Sequence, residues 1–241
     1  MLDFTRFKAL TFDCYGTFID WEAGILKSLN MLFKSKNIAV ADAEILESYA
    51  KFEAELEHGE FQVYSKILNG VVRKFAEKYK FEVSDREADI LTKNFHLWVP
   101  FADTVTAIRS LKGHYKMGPL TNIENKLFDI SACLLEEELD WVLTAEDIGS
   151  YKPSLNNFEY MLKYLNDNYG IKKNQILHVA QSKYHDIVPA KAMGITNIWV
   201  NRKSVKPGTG VALSAQVKPD LEVPDLKTLA KMVNESFLLE V

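Results

Sequence analysis

The spacing of hydrophobic residues divides the chain into two kinds of region. From Pro100 onward, short apolar runs alternate with stretches whose apolar residues recur every three or four positions, the spacing typical of helices. Between residues 21 and 99 the helical spacing prevails, and no strand is predicted there. One further short apolar run, at residues 10–12, precedes this helical region.

The short apolar runs predict strands, and the stretches between them predict helices. The predicted strands are 10–12, 115–120, 141–143, 176–179, 198–200 and 221–223, with helices around 128–135, 158–165 and 187–193. Alternation of this kind predicts an α/β fold, a parallel sheet with helices on both faces. We therefore expect a core built from residues 1–20 and 100–241, with 21–99 inserted as a helical cap over the strand ends.

Two local signals refine this outline. Ser84 and Glu87 form a capping box, which predicts a final cap helix running to about Trp98. The glycines of residues 206–210 lack the spacing of a dinucleotide fingerprint and predict a loop.

Composition narrows the class of protein. The chain has 241 residues, 47% of them hydrophobic, and a net charge of −4 without blocks of one sign, so no nucleic-acid partner is expected. Two cysteines make neither a disulfide framework nor a metal cluster. No signal-peptide pattern and no apolar run of about 18 residues occurs, which predicts a cytoplasmic protein without a membrane partner, a homodimer being left open.

Polar residues follow several predicted strands. Asp13 follows the first, Thr121 and Asn122 the second, and Asp186 lies just beyond the strand at 176–179. Lys152 follows the third predicted strand, with Pro153 expected to begin the next helix. Each alone is more often a cap or a surface charge, but the ends of parallel strands meet at one edge of the sheet, where α/β proteins bind ligands.

These residues carry a resemblance to a known family. Asp13-Cys14-Tyr15-Gly16-Thr17, Thr121-Asn122, Tyr151-Lys152-Pro153 and Ser182 to Asp186 together resemble the four motifs of the haloacid dehalogenase superfamily of hydrolases, and within it the type II 2-haloacid dehalogenases. The resemblance implies a Rossmann-like core, with Asp13 as nucleophile, Lys152 as its charge partner and Asp186 orienting the hydrolytic water. The expected substrate-binding residues are Tyr15, Thr17, Thr121, Asn122, Ser182 and His185.

Tyr15 bears on the reaction that the resemblance implies. Phosphatases of the superfamily carry a second aspartate there, which protonates the departing alkoxide, and a tyrosine with an ordinary pKa near 10 replaces it poorly. Halide and a cationic ring nitrogen leave without a proton. The expected substrate is therefore a small 2-substituted carboxylic acid, attacked at carbon to give an aspartyl ester.

Other positions keep alternatives open. Gln181 stands where phosphatases often have an acid, so we expect no cofactor and no metal, although two carboxylates do not exclude Mg²⁺. The early cap lacks the arginine of typical dehalogenases, and the Ser182-to-Asp186 motif is also similar to hydrolases that open azetidine-2-carboxylate. A Mg²⁺-dependent phosphatase and a catalytically silent binding protein remain the alternative functions.

The remaining expectations concern packing. Aromatic residues expected to line an apolar cap wall are Trp21, Phe52, Phe61 and Tyr64. His178, inside a predicted strand, is expected to be a core residue.

Overall fold

A single six-stranded parallel sheet forms the centre of the computed structural model, which describes residues 2–204 and 215–239. The strands are β1 (Ala9–Phe12), β2 (Lys116–Thr121), β3 (Leu143–Thr144), β4 (Ile176–Ala180), β5 (Thr196–Val200) and β6 (Leu221–Val223). Their order across the sheet is β3-β2-β1-β4-β5-β6. The α/β class is confirmed, and a strand is present at each of the six predicted places, although β3 begins only at Leu143 where 141–143 was predicted.

β1 lies at the point where the order in which strands are added to the sheet reverses. From β1 the chain adds β2 and β3 on one side and then β4 to β6 on the other. Phe12 pairs with Pro119 of β2 and with Val179 of β4, so the residues following these three strands share one edge. Such a switch point leaves a crevice at the carboxyl ends of the strands.

Helices cover both faces and form a separate cap. They are α1 (Trp21–Ser35), α2 (Asp42–Glu57), α3 (Tyr64–Tyr79), α4 (Asp85–Ala88), α5 (Ile90–Lys93), α6 (Thr104–Lys112), α7 (Asn125–Leu135), α8 (Ala145–Ile148), α9 (Leu155–Tyr169), α10 (Val188–Ala192) and α11 (Leu226–Leu238). Within the described residues, none is both long and apolar enough to cross a lipid bilayer.

Successive side chains along each strand point to opposite faces of the sheet and so belong to two different buried clusters. Leu10 and Leu177 belong to the cluster that includes α6 and α11, whereas their neighbours Ala9 and Ile176 belong to the cluster under α9. This period of two is what a strand buried on both faces requires.

The cap comprises α1 to α5 and joins the core through two adjacent crossings. The Asp20 amide donates to the Val99 carbonyl over 2.8 Å, and Ile19 bridges Pro100. The helical insertion is therefore present in the fold, and its two connections lie side by side.

The structure corrects two local predictions. Residues 85–97 do not form one helix: α4 and α5 are separate, because the backbone turns at Asp89 and again at Asn94 before a 3₁₀ turn. Pro153 does not begin a helix, because Ser154 caps α9, which starts at Leu155. Ahead of α10, residues 183–187 form a π-helical turn. The loop predicted at 206–210 lies outside the described residues.

Candidate active site

Asp13 lies at the carboxyl end of β1 and is held at both carboxylate oxygens. The Thr17 hydroxyl donates to Oδ2 over 2.7 Å, and Lys152 Nζ donates to Oδ1 over 3.0 Å. Thr17 is itself fixed, because its hydroxyl accepts the Gln181 amide over 2.9 Å. The Asp13 side chain keeps 9% exposure, so it is nearly enclosed but still reaches the surface of the crevice.

Lys152 lies between two carboxylates. Its Nζ is 3.0 Å from Asp13 Oδ1 and 2.7 Å from Asp186 Oδ1, and it donates a third bond to the Leu120 carbonyl over 2.8 Å. Asn122 holds the lysine backbone, since its Oδ1 accepts the Lys152 amide and its Nδ2 donates to the Lys152 carbonyl. The lysine is thereby fixed at both its backbone and its ammonium group.

Asp186 is the second carboxylate partner and is fully buried. His178 Nε2 lies 3.1 Å from Asp186 Oδ1, while His178 Nδ1 lies 2.8 Å from the Thr11 hydroxyl. Asp186 Oδ2 is buried and has no partner in the described part of the chain. His178 is a core residue as expected, but it also orients the aspartate, a role that the sequence reading missed.

Burial and charge have opposite effects on the pKa values of the triad formed by Asp13, Lys152 and Asp186. Burial raises the pKa of Asp13, and the attraction of Lys152 offsets this only in part. For Asp186, burial is outweighed by Lys152 and His178, so the pKa lies below its ordinary value. Burial also acts against the charge on Lys152, but the two carboxylates prevail and its pKa is raised. Lys152 thus lowers the pKa of Asp13, but the net shift of that pKa is upward because burial prevails.

Tyr15 does not point its hydroxyl at Asp13. The hydroxyl is hydrogen bonded to Ser131 over 2.8 Å, and the ring packs edge-on against Phe95 and Trp98. Burial raises the pKa of Tyr15 well above its ordinary value. The residue is therefore placed as an apolar wall and not as a proton donor.

A cavity of about 80 Å³ opens above Asp13, between the core and the cap. Its lining residues are Asp13, Tyr15, Trp21, Ala50, Glu53, Ala54, Glu57, Tyr64, Trp98, Asn122, Lys152, Gln181, Ser182 and His185. Six of the nine expected site residues are among them. Thr17 bonds to Asp13, and Asp186 bonds to Lys152, from behind the cavity lining.

The last of the nine, Thr121, behaves differently. It is buried, and its hydroxyl has no partner among the described residues, so it does not bond to Asp13 here.

His185 and Ser182 form the side of the cavity next to β4. Ser182 Oγ caps the following turn by accepting the His185 amide, and it lies 3.3 Å from His185 Nδ1. Burial lowers the pKa of His185 to about 4. The imidazole is therefore neutral at pH 7 and can accept a hydrogen bond.

The cap supplies residues that the sequence reading missed. Trp21 and Tyr64 line the cavity as expected, whereas Phe52 packs on Phe75 and Phe61 on Tyr151. Unexpected lining residues are Glu53 and Glu57 of α2 and Trp98, whose ring packs against Gly24. The sequence gives one sign of these lining residues: Glu53 and Glu57 lie four positions apart on the helix face that also carries Tyr49 and Leu56.

Comparison with known proteins identifies the family. A model of the haloacid dehalogenase-like hydrolases matches residues 7–194. The chain belongs to this family. A comparison with curated proteins found no significant match.

Solved structures agree with this family in fold. An L-2-haloacid dehalogenase is 20% identical, with 95% of this chain and 99% of that chain covered and a TM-score of 0.79. The L-2-haloacid dehalogenase from Xanthobacter autotrophicus is 16% identical, with 95% and 98% covered and a TM-score of 0.78. A HAD-hydrolase from Bacillus subtilis, solved bound to magnesium, is 19% identical, with 95% and 99% covered and a TM-score of 0.73. At these identities the similarity concerns the fold.

The magnesium-bound relative raises the question of whether these residues suit Mg²⁺. Lys152 Nζ occupies the space between the facing oxygens of Asp13 and Asp186, and Gln181 contributes an amide where a third carboxylate would help. Within the described residues, no group of three or more His, Cys, Asp or Glu side chains is arranged to hold a metal ion. With the Lys152 ammonium group between the two aspartates, these residues do not fit the ion, and metal independence of the reaction stays a prediction.

Proposed function

We propose that this haloacid dehalogenase-like hydrolase uses Asp13 to displace a leaving group from carbon in a small 2-substituted carboxylic acid. The observation that carries the proposal is the Asp13 carboxylate, held by Thr17 and Lys152 at the floor of a cavity closed by the cap. Tyr15 supports attack at carbon, because its hydroxyl is bonded to Ser131 and supplies no proton to an alkoxide.

The first step forms one bond and breaks one. A carboxylate oxygen of Asp13 attacks the substituted carbon, and the bond to the leaving group breaks with its electron pair going to that group. A halide leaves as the anion, and a protonated ring nitrogen leaves as a neutral amine still tethered to the product. The result is an ester between Asp13 and the substrate carbon.

The second step hydrolyses this ester. Water adds to the Asp13 carbonyl carbon, and the bond between that carbon and the substrate oxygen breaks with its electron pair on the oxygen. One proton of the water passes to that oxygen and the other to solvent, so that a 2-hydroxy acid and the aspartate are released. We assign the water to Asp186 Oδ2, because the other three oxygens of the two aspartates already accept bonds from Thr17, Lys152 or His178. Lys152 keeps a positive charge beside the oxyanion that forms during the addition.

A substrate panel tests this assignment. We expect turnover of 2-chloropropionate or azetidine-2-carboxylate that is insensitive to a chelator, measured as halide release or as a ring-opened amine. Release of inorganic phosphate from phosphate monoesters that stops when EDTA is added would instead identify a metal-dependent phosphatase. Turnover of none of these compounds would favour a binding protein.

A further inference from the structure

The cap wall of the cavity carries two carboxylates that face the catalytic floor. Glu53 and Glu57 lie four positions apart on α2, so they share one side of the helix, and both line the cavity that contains Asp13. The Tyr49 hydroxyl donates to Glu53 Oε1 over 3.2 Å, and the Tyr64 hydroxyl donates to the same oxygen. Glu53 is thereby held in place by neutral donors.

The cavity has no cation to spare for this wall. Lys152 is the one lysine or arginine among the described lining residues, and an ammonium group has three protons to donate. All three are used, by Asp13, Asp186 and the Leu120 carbonyl. A substrate carboxylate can still find neutral donors at Gln181 and Ser182, but no unpaired positive charge.

Aromatic side chains complete the lining. Trp21, Trp98, Tyr15 and Tyr64 all contribute to the cavity, and Trp98 is almost fully buried. The faces of such rings attract cations within about 6 Å, more strongly when the site excludes water. Carboxylates combined with aromatic rings are the chemical environment that a small organic cation prefers.

We propose that Glu53 and Glu57 bind a positively charged nitrogen of the substrate, so that the enzyme acts on a small ammonium compound. The reaction on an ammonium compound rests on the proposed attack by Asp13, whereas the binding of a cation does not depend on that attack. The proposal also distinguishes a ring nitrogen from a halide as the leaving group. In-line displacement sends the leaving group away from Asp13 towards the cap, where a departing halide would be repelled by two carboxylates.

The protonation behaviour of the wall agrees with this assignment. Burial raises the pKa of Glu53 to about 7, and burial together with the Glu53 charge raises that of Glu57 well above its ordinary value. A cation bound between them would favour their ionised forms, as an opposite charge does at close range. Ionising both glutamates without a cation is thus electrostatically unfavourable, and a bound ammonium group would offset this.

Equilibrium binding of three probes tests the proposal without requiring turnover. Azetidine-2-carboxylate and cyclobutanecarboxylate differ in the ring nitrogen, and azetidinium lacks the carboxylate. Binding is followed by tryptophan fluorescence, since Trp21 and Trp98 line the cavity, and within the first milliseconds where turnover occurs. We expect azetidine-2-carboxylate to bind at least about tenfold more tightly than cyclobutanecarboxylate, and azetidinium to bind detectably.

Variants assign the discrimination to the wall. Glu57→Gln and Glu53→Gln should each weaken the two nitrogen-containing probes by about tenfold and leave cyclobutanecarboxylate equal or tighter. Glu47→Gln, an exposed acid of the same helix, is the matched control and should change nothing. Circular dichroism of each variant shows whether it is folded, and Glu53→Asp should restore part of the affinity.

Equal affinity for the two ring acids, no detectable binding of azetidinium, or full affinity in Glu57→Gln would each overturn the proposal. Tighter binding of azetidine-2-carboxylate than of cyclobutanecarboxylate, without turnover of any panel compound, would support the cation site and reject the Asp13 chemistry. Turnover with equal binding of the two ring acids would support the Asp13 chemistry and reject the cation site.

Discussion

The floor and the cap wall of the cavity treat charge in opposite ways. On the floor, Lys152 is bonded to Asp13 and Asp186, and His178 and Thr17 complete the set of partners. On the wall, Glu53 accepts bonds from tyrosines, and Glu57 has no hydrogen bond among the described residues. We call the floor closed, because its carboxylates are paired with a cation, and the wall open, because its carboxylates have no counterion.

This difference indicates separate tasks. Buried charges that are mutually paired hold a fixed geometry before substrate arrives, which favours chemistry at a defined atom. Partly buried charges without a counterion, such as those of Glu53 and Glu57, destabilise the free protein and gain most when a ligand supplies the missing charge. The floor is therefore suited to catalysis and the wall to recognition.

The largest effect is expected at the nucleophile. Asp13→Asn replaces one carboxylate oxygen with an amide nitrogen and removes the negative charge, so only one of the bonds from Thr17 and Lys152 can be kept. Turnover should fall by about 10⁴-fold or more, because removing a covalent nucleophile leaves only binding and electrostatic contributions. Steady-state kinetics measures the loss, and an unchanged circular dichroism spectrum shows that the fold is kept. Retained turnover would mean that the closed floor is not the catalytic part.

Removal of the Lys152 cation, which pairs with both carboxylates of the floor, should lower both activity and stability. Lys152→Met leaves Asp13 and Asp186 facing each other without a counterion, so we expect a loss of about 3–5 kcal/mol in the free energy of unfolding. Urea unfolding measures it. Lys163→Met, an exposed lysine paired with Asp167, is the control and should cost less than about 1 kcal/mol. Similar losses in both variants would remove the distinction drawn for the floor.

The wall should show the reverse relation between function and stability. The folded pKa of Glu53, about 7, lies above its ordinary value of 4.5, so the native state binds more protons and loses stability as pH rises between these values. Glu53→Gln should therefore be more stable than the wild type at pH 8, by about 1–2 kcal/mol, with the difference vanishing near pH 4. Thermal unfolding across that range measures it, and a destabilised variant at pH 8 would contradict the open wall.

The smallest expected effect concerns how cation binding depends on pH. The titratable groups that face Glu53 are Glu57, Tyr49, Tyr64 and Tyr151, and the tyrosines stay neutral because burial raises their pKa values. Lys152, which attracts Glu57, stays charged because the two aspartates raise its pKa. Affinity for azetidinium should rise severalfold from pH 6 to pH 8 as the glutamates ionise, and Glu53→Gln should flatten the profile. His185, with a pKa of about 4, is already neutral in this range. A profile that falls with rising pH would contradict the assignment.

The two regions also differ in how far the sequence predicts them. The floor is readable because its residues directly follow strands: once β1, β2 and β4 are recognised, their shared edge brings Asp13, Asn122 and Ser182 together. The Asp186 partner His178 was missed as a site residue, since a histidine within a strand is more often simply core.

The wall depends on how the cap packs on the core, which the spacing along α2 does not specify. Glu53 and Glu57 interrupt an apolar helix face, and the same pattern would occur on a solvated helix. The break of residues 85–97 into short segments was also unpredicted, because the turns at Asp89 and Asn94 depend on contacts such as the bond from Asn69 to Asp89. Tertiary packing decides both.

The covalent role of Asp13 is tested most directly by a single turnover in ¹⁸O water with enzyme in excess, using whichever panel compound reacts. Mass spectrometry then locates the label in the peptide that contains Asp13 and in the product. If the ester forms, one ¹⁸O enters the Asp13 carboxylate and the first product carries unlabelled oxygen. Label in the first product together with an unlabelled Asp13 would show that water attacks the substrate directly, which contradicts the central claim.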